Sequence, residues 1–560
     1  MVKLKTKKAG DFLLLANGIV LIVLINLLSS KFFFRLDLTE EKRFQIKDQT
    51  KELLQSLDDD VFIEVYLEGE LNADFRRFRN SIRETLEEFR IHSDNRVQYT
   101  FTDPATAQSQ KAQNEFMADL SAKGITPTRV IDNDNNQRSE KLIFPGAVVS
   151  YGSAEAGVQL LKGNKAGTPL EEINQSIEGV EYELANAIFK LSSDSPAKIG
   201  WVTGHGELDG PQAFSFQSAI SENYTFEKLS LTQSSINQCE VLVIAKPTSA
   251  FSELDKFNLD QFILKGGRLL LMMDKLEANM DSVSEESYFA FPYDLKIDDQ
   301  LFKYGVRLNM DLVQDRVSGK YPIVTGQSGT RPQIQLIDWP FFPMINQYGK
   351  HPITNNLDAV ILKFASSIDT VKAAGIKKTP LLFTSQYSRT LTAPVNVSIK
   401  SLFDQTKAED FSRQNIPVGY LLEGKFTSLY KNRFLPEGAQ QNGFVVDGVE
   451  SKVIVVADGD LAASVVNPRT RQPQALGFDP FTNATFASRD LLLNMLAHLT
   501  HENGIIQVRS KEIKIRPLDR ERIASERIKW QVINIGIPVL LVAVFAIVRS
   551  LLRKRKYASF

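Results

Sequence analysis

The segment Trp201-Val202-Thr203-Gly204-His205-Gly206-Glu207 carries the sharpest chemical signal in the chain. Histidine titrates near neutral pH, and a carboxylate two positions away can orient it, so His205 and Glu207 could act as a base and its partner. Gly204 and Gly206 permit a tight turn and a close approach of backbone to ligand. The segment follows a strand pattern and precedes a helix pattern. In open α/β sheets ligands bind at the carboxyl ends of strands. Two other buried-strand patterns end in acids, at Asp274 and at Asp458-Gly459-Asp460, and should deliver carboxylates to the same edge. The candidate ligand-binding set is therefore Thr203, Gly204, His205, Gly206, Glu207, Asp274, Asp458 and Asp460. The competing reading is a tight turn whose polar groups satisfy the backbone and cap helices. No catalytic set, metal or cofactor follows from these residues.

Several chemistries are excluded by spacing. A dinucleotide fingerprint needs a third glycine where Asp209 stands, and Gly210 comes one residue late. No phosphate-binding P-loop occurs, so ATP hydrolysis by that device is absent. No Gly-x-Ser-x-Gly elbow occurs. The sole cysteine, Cys239, precedes a strand, which leaves an amidotransferase-type nucleophile missing and forbids an intrachain disulfide. It reads as a small buried hydrophobe. A net charge of −1 gives no global field for nucleic acid. His498 and His501, beside Glu502, could ligate a metal or complement the negative end of a helix. Trp339-Pro340-Phe341-Phe342-Pro343 could be a docking surface or a buried turn.

The elements that would position these residues fall into two patterns. Leu36–Gln55 predicts a short helix with Thr39 as N-cap. Val61–Leu67 alternates as a strand, and Asp74–His92 places Phe75, Phe78, Ile82, Leu86 and Phe89 on one helix face. Arg96–Thr102 is a strand pattern and Thr106–Lys123 a helix pattern. Thr128–Ile131 and Leu142–Tyr151 are strand patterns, Val158–Lys162 the return of a hairpin, and Leu170–Leu191 a helix. This β-α-β-α-β-β-α order over residues 36–191 resembles a thioredoxin-like domain, with Pro127 where that fold often carries a proline before its third strand. No Cys-x-x-Cys is present, so redox chemistry is excluded. After the linker Ser192–Pro196, strands and helices alternate as in a parallel sheet with crossover helices. The fold class is thus α/β, with a parallel α/β domain built from residues 196–277 and 450–512. Residues 278–449 form a β-rich insertion and 513–529 a charged stalk.

The ends are apolar. Phe12–Leu28 and Val532–Val548 reach the about 20 residues of a membrane-crossing helix with their flanks, which predicts spans over 12–34 and 530–552. Lys3, Lys5, Lys7 and Lys8 precede the first, and Arg553, Lys554, Arg555 and Lys556 follow the second. Lysine and arginine mark the cytoplasmic side, so tails 1–11 and 553–560 lie in the cytoplasm and the body outside it. Lys31, Arg35, Lys42, Arg43, Arg520, Arg522, Arg527 and Lys529 weigh the other way. A signal peptide would need a small-x-small exit, which Leu28–Phe34 lacks, and this favours an uncleaved anchor. Asn534, Gly536 and Pro538 in the second run suggest contact with another membrane helix.

Together, Asp37-Leu38-Thr39-Glu40-Glu41-Lys42-Arg43-Phe44, the Thr203–Glu207 turn, Asp458-Gly459-Asp460 and the stretch Gly477–Glu502 resemble the GldG family. These are gliding-motility-associated auxiliary components of ABC transporters in Bacteroidetes, often described as substrate-binding. The resemblance implies an inner-membrane complex with a multi-span permease subunit and a cytoplasmic ATPase subunit, and carries no catalytic residues. It also implies a central domain shared with an intraflagellar-transport protein and related to amidotransferase-like folds. The resulting expectation is a non-catalytic extracytoplasmic subunit. The alternatives are an envelope scaffold that docks partners through the insertion, and a hydrolase using the His205/Glu207 loop.

Overall fold

The computed structural model describes residues 10, 12–24, 45–104, 109–134, 137–162, 169–193, 196–278, 280, 288–328, 331–399, 408–500, 504–510 and 520–557. The expected Thr39 cap, residues 25–34 of the first apolar run, His501, Glu502 and residues 513–519 of the expected stalk lie outside them. The run Phe12–Leu24 (α1) is an apolar helix shorter than a membrane span.

Helix α2 (Asp48–Gln55) leads into β1 (Val61–Val65), α3 (Ala73–His92), β2 (Val97–Phe101) and α4 (Gln110–Ala122). Then follow β3 (Thr128–Asp134), β4 (Gln137–Ile143), β5 (Gly146–Tyr151), β6 (Ala154–Gln159) and α5 (Pro169–Ser192). In β1 the odd positions Val61, Ile63 and Val65 are buried while Phe62 is exposed, the period-two signature of a half-buried strand. Helix α3 turns its expected five-residue apolar face inward, and Asn72 caps it by accepting the Phe75 N–H at 3.0 Å. The four-stranded sheet runs β2-β1-β5-β6, with β1 parallel to β2 and the other neighbours antiparallel. Buried Glu181 of α5 accepts from Lys47 N at 2.6 Å and Thr50 Oγ1 at 2.9 Å. It thereby ties the N-cap residue and first turn of α2 to α5.

The single strand expected over Leu142–Tyr151 is two strands. Pro145 lacks the N–H a ladder requires, so the chain breaks there. β4 pairs with β3 in a separate hairpin, and β5 enters the main sheet. Pro127 therefore precedes the hairpin, and Pro145 precedes the sheet strand.

The second sheet begins with β7 (Lys198–Val202), α6 (Gly210–Ser221), β8 (Thr225–Leu229), β9 (Val241–Ala245), α7 (Glu253–Leu264) and β10 (Arg268–Met272). A long hairpin of β11 (Ser318–Ser328) and β12 (Arg331–Ile345) follows, then β13 (Gln347–Tyr348), β14 (Ile376–Phe383), β15 (Pro417–Thr427), β16 (Asp447–Val456) and α8 (Ser488–Thr500). The eight-stranded order is β13-β14-β15-β16-β10-β9-β7-β8. From β16 to β8 all pairs are parallel. From β13 to β16 all are antiparallel. The sheet is therefore mixed, and three of its strands come from within residues 278–449. Every residue of β9 is buried, as in a strand covered on both faces.

Trp339-Pro340-Phe341-Phe342-Pro343, expected as an irregular turn, lies within β12. Trp339, Phe341 and Phe342 are buried against Leu276, Phe364 and Val395. Its prolines disguise the strand in the sequence, and their missing donors accompany an irregular ladder with β11.

Residues 512–560 belong to a second compact unit. Its described part is one helix, α9 (Arg520–Tyr557). Lys529–Arg555 within it, with mean hydropathy 2.5, is long and apolar enough to cross a membrane. The described part of the expected stalk, from Arg520 onward, is the same helix.

Candidate functional site

Three adjacent parallel strands end level with one another. Ala245 of β9 and Val456 of β16 both stand opposite Met272 of β10. The residues just beyond, Lys246, Asp274 and Asp458, are thereby brought to one place. Asp458 Oδ1 accepts from Asp460 N at 2.7 Å and Leu461 N at 3.2 Å, and its Oδ2 accepts from Lys363 N at 2.6 Å. Asp274 Oδ1 accepts from Gly459 N at 2.7 Å. The Lys246 ammonium lies 2.6 Å from Asp460 Oδ1 and 3.4 Å from Asp274 Oδ2. Lys246 holds a left-handed backbone with φ of 53°, and a side chain at position 459 would strike it, so Gly459 is what lets the two loops meet.

Burial pushes the Asp274 and Asp458 carboxyls above their usual range, against the pull of Lys246. Burial alone would lower the Lys246 ammonium, but the charges of Asp460 and Asp274 raise it above its ordinary value. Carboxylate oxygens of Asp274, Asp458 and Asp460 lie within 4.8 Å of one another, a donor set that suits a hard divalent cation. Lys246 already sits on two of the three acids and supplies counter-charge itself.

His205 is the centre of a second knot. Its Nδ1 lies 2.9 Å from Glu207 Oε1 and its Nε2 lies 3.3 Å from Asp255 Oδ2. The ring stacks on Phe251 with centroids 3.9 Å apart. The His205 backbone N–H donates to Glu207 Oε2 at 2.7 Å, and its carbonyl accepts from Thr248 N and Ser249 N, each at 2.8 Å. A side chain at Gly206, where φ is 71°, would collide with Thr248. Burial would lower the imidazole pKa, but the Glu207 and Asp255 hydrogen bonds and charges outweigh it and raise the value. Asp255 is held in turn by Ser252, whose hydroxyl caps α7.

The eight expected residues thus divide between two groups that share no hydrogen bond or ion pair among the described residues. Asp274, Asp458 and Asp460 meet around Lys246, while Gly204, His205, Gly206 and Glu207 close onto the loop after β9. Thr203 joins neither, since its N–H and hydroxyl both donate to Leu229 O. Asn534, Gly536 and Pro538 lie exposed on α9. Lys246, Phe251 and Asp255 were missed. Lys246 had a signal, since it follows a buried strand just as Asp274 and Asp458 do. His498 is buried, 3.3 Å from Glu423 Oε1, and burial lowers its pKa while Glu423 opposes. Cys239 is buried, and burial raises its thiol.

The sequence model of a family described as an ABC-type uncharacterized transport system (ABC_transp_aux) matches residues 196–495, more than half of the chain. The chain belongs to this family. The match takes in all eight strands of the large sheet and both polar knots of this ABC transport auxiliary protein, and its membership implies transporter partners. A second model, described as a domain of unknown function (DUF7088), matches residues 40–150. An uncharacterized protein of Borreliella burgdorferi (strain ATCC 35210 / DSM 4680 / CIP 102532 / B31) is 22% identical over 565 residues, covering 98% of this chain and 99% of the relative. Among solved structures, the mmIFT52 N-terminal domain is 13% identical with a TM-score of 0.32, over 54% of this chain and 97% of that one. That likeness is too distant to carry an argument.

Proposed function

We propose that this protein is the non-catalytic, membrane-anchored extracytoplasmic subunit of an ABC-type complex, built on a multi-span permease and a cytoplasmic ATPase. The family match over residues 196–495 carries this reading. The span-length helix Lys529–Arg555 and the apolar helix Phe12–Leu24 support an anchor at each end in the inner membrane, with both tails cytoplasmic and the body periplasmic. Asn534, Gly536 and Pro538 would face the permease. The β2-β1-β5-β6 order supports a thioredoxin-like first domain with the β3–β4 hairpin inserted. The resemblance to GldG supports a role in the gliding motility of Bacteroidetes. ATP hydrolysis by the partner would move the permease, and the two tethers would pass that motion to the body.

The hydrogen bonding supports the strand-edge residues as internal clasps. Asp458 spends its acceptors on three backbone donors, and His205 is held between two carboxylates and a phenyl ring. The segment Trp339–Pro343, on which a docking scaffold would rest, is buried.

Purification from native membranes in mild detergent, followed by mass spectrometry, tests the assignment. A permease and an ATPase should be retained at fixed ratio, and recovery of the chain without either sinks the proposal. A correctly folded His205→Ala protein should keep function. Its complete loss would favour the hydrolase instead.

A further inference from the structure

A cavity of about 740 Å³ lies between the two sheets, remote in the fold from the Asp458 edge. Its walls are the carboxyl-terminal half of α5, β6, the Glu222–Tyr224 turn and α8. That turn enters β8, so the cavity opens at the amino edge of the parallel strands. Ligand sites typically enclose about 300–1,000 Å³ and favour junctions between domains.

Charge in the cavity is unbalanced. Lys162 pairs with Glu183 at 2.8 Å, Arg489 with Glu222 at 2.6 Å and Lys123 with Glu155 at 3.1 Å. The remaining acid, Asp490, acts on Lys162. Among the described residues Lys190 and Arg509 form no ion pair, although Glu183 and Glu222 lie near enough for their charges to act on Lys190. Arg509 is buried, and among the described residues its guanidinium donates to neutral oxygens, Asn494 Oδ1 at 2.7 Å, Asn355 O at 2.8 Å and Asn356 O at 3.5 Å, and lies 4.9 Å from the Tyr182 ring centre. Lys190 stands exposed on the wall with no hydrogen bond or ion pair among the described residues. The lining holds five cations against four acids, and a buried guanidinium and an ammonium that form no ion pair among the described residues leave room there for negative charge. Asn186 and Asn223 add amides suited to a polar ligand.

We propose that this cleft binds a small polar anion, a carboxylate or a phosphate, with Lys190 as its direct charge partner and the field of Arg509 behind it. Although the Lys190 side chain reaches solvent, the protein packed around it pulls its ammonium down to about 8; Lys162 and Arg489 push the same way, while Glu183 and Glu222 oppose.

The test uses the full chain in detergent, with inorganic phosphate and succinate titrated separately by calorimetry near neutral pH. Binding of either probe is expected, and whichever binds tells a phosphoryl from a carboxylate ligand. Lys190→Gln should weaken it at least about tenfold while the ligand-free melting temperature stays level or rises, and Lys190→Arg should retain it. A structural role for Lys190 would instead lower the melting temperature. The inference is overturned if neither probe gives heat up to about 10 mM, or if Lys190→Gln binds as wild type does. Neither result depends on which membrane partners the chain has.

Discussion

The two edges of the large sheet treat buried charge in opposite ways. At the carboxyl edge, Lys246 is neutralised within 3.4 Å by Asp274 and Asp460, and Asp458 is spent on backbone donors. At the amino edge, Lys190 and Arg509 share a cavity and form no ion pair among the described residues. A polar group whose partners all come from the fold has no capacity left for a ligand. One whose partners are missing costs folding energy and has capacity to spare. The edge favoured by general rules for α/β sheets is thus the closed one here, and the open one lies where the smaller sheet packs.

Substitutions should separate the edges sharply. Lys246→Met removes the cation from three clustered carboxylates, and a loss of about 3–5 kcal/mol in denaturant unfolding is expected. Wild-type stability would mean the carboxyl edge is no clasp. His205→Ala leaves Glu207 buried without its partner and strips the ring from Phe251, for about 2–3 kcal/mol. Because the folded His205 pKa is raised, its contribution is fully present below the unfolded value of about 6.5 and fades as pH rises through the folded value. A pH series of melting curves should show that decline in the wild type and a flatter profile in His205→Ala. Lys190→Gln sits at the other extreme, with a change within about 0.5 kcal/mol, since it breaks no contact. A large loss there would erase the contrast between the edges.

Much of the carboxyl edge was legible in the sequence. Val241–Ala245, Arg268–Asp274 and Val453–Asp458 announce buried strands with polar residues at their ends, and the sheet does bring those ends together. The partners were harder to read. Lys246 meets Asp460 only because β16 inserts beside β10, and strand order is not written in either segment. Asp255 reaches His205 from the first turn of α7, where an acid looks like an ordinary cap. β8 escaped notice because Thr225, Glu227 and Lys228 give an edge strand a polar face. β12 escaped because Pro340 and Pro343 look like loop. The cavity was invisible, since its walls are drawn from segments scattered between Ala122 and Arg509. Lys190 in isolation is one more lysine near a helix end.

The place of β16 also governs how the molecule can be made. It is the last strand of the large sheet in the chain and lies between β10 and β15, near the middle of the order. Until Asp447–Val456 is in place, β10 presents an open apolar edge on the side away from β9. Pairings of such long sequence separation are slow to form and expose strands to aggregation meanwhile. A chain truncated before residue 447 should therefore remain protease-sensitive through β7–β10, and one extended past Val456 should become resistant across the whole sheet in a single step.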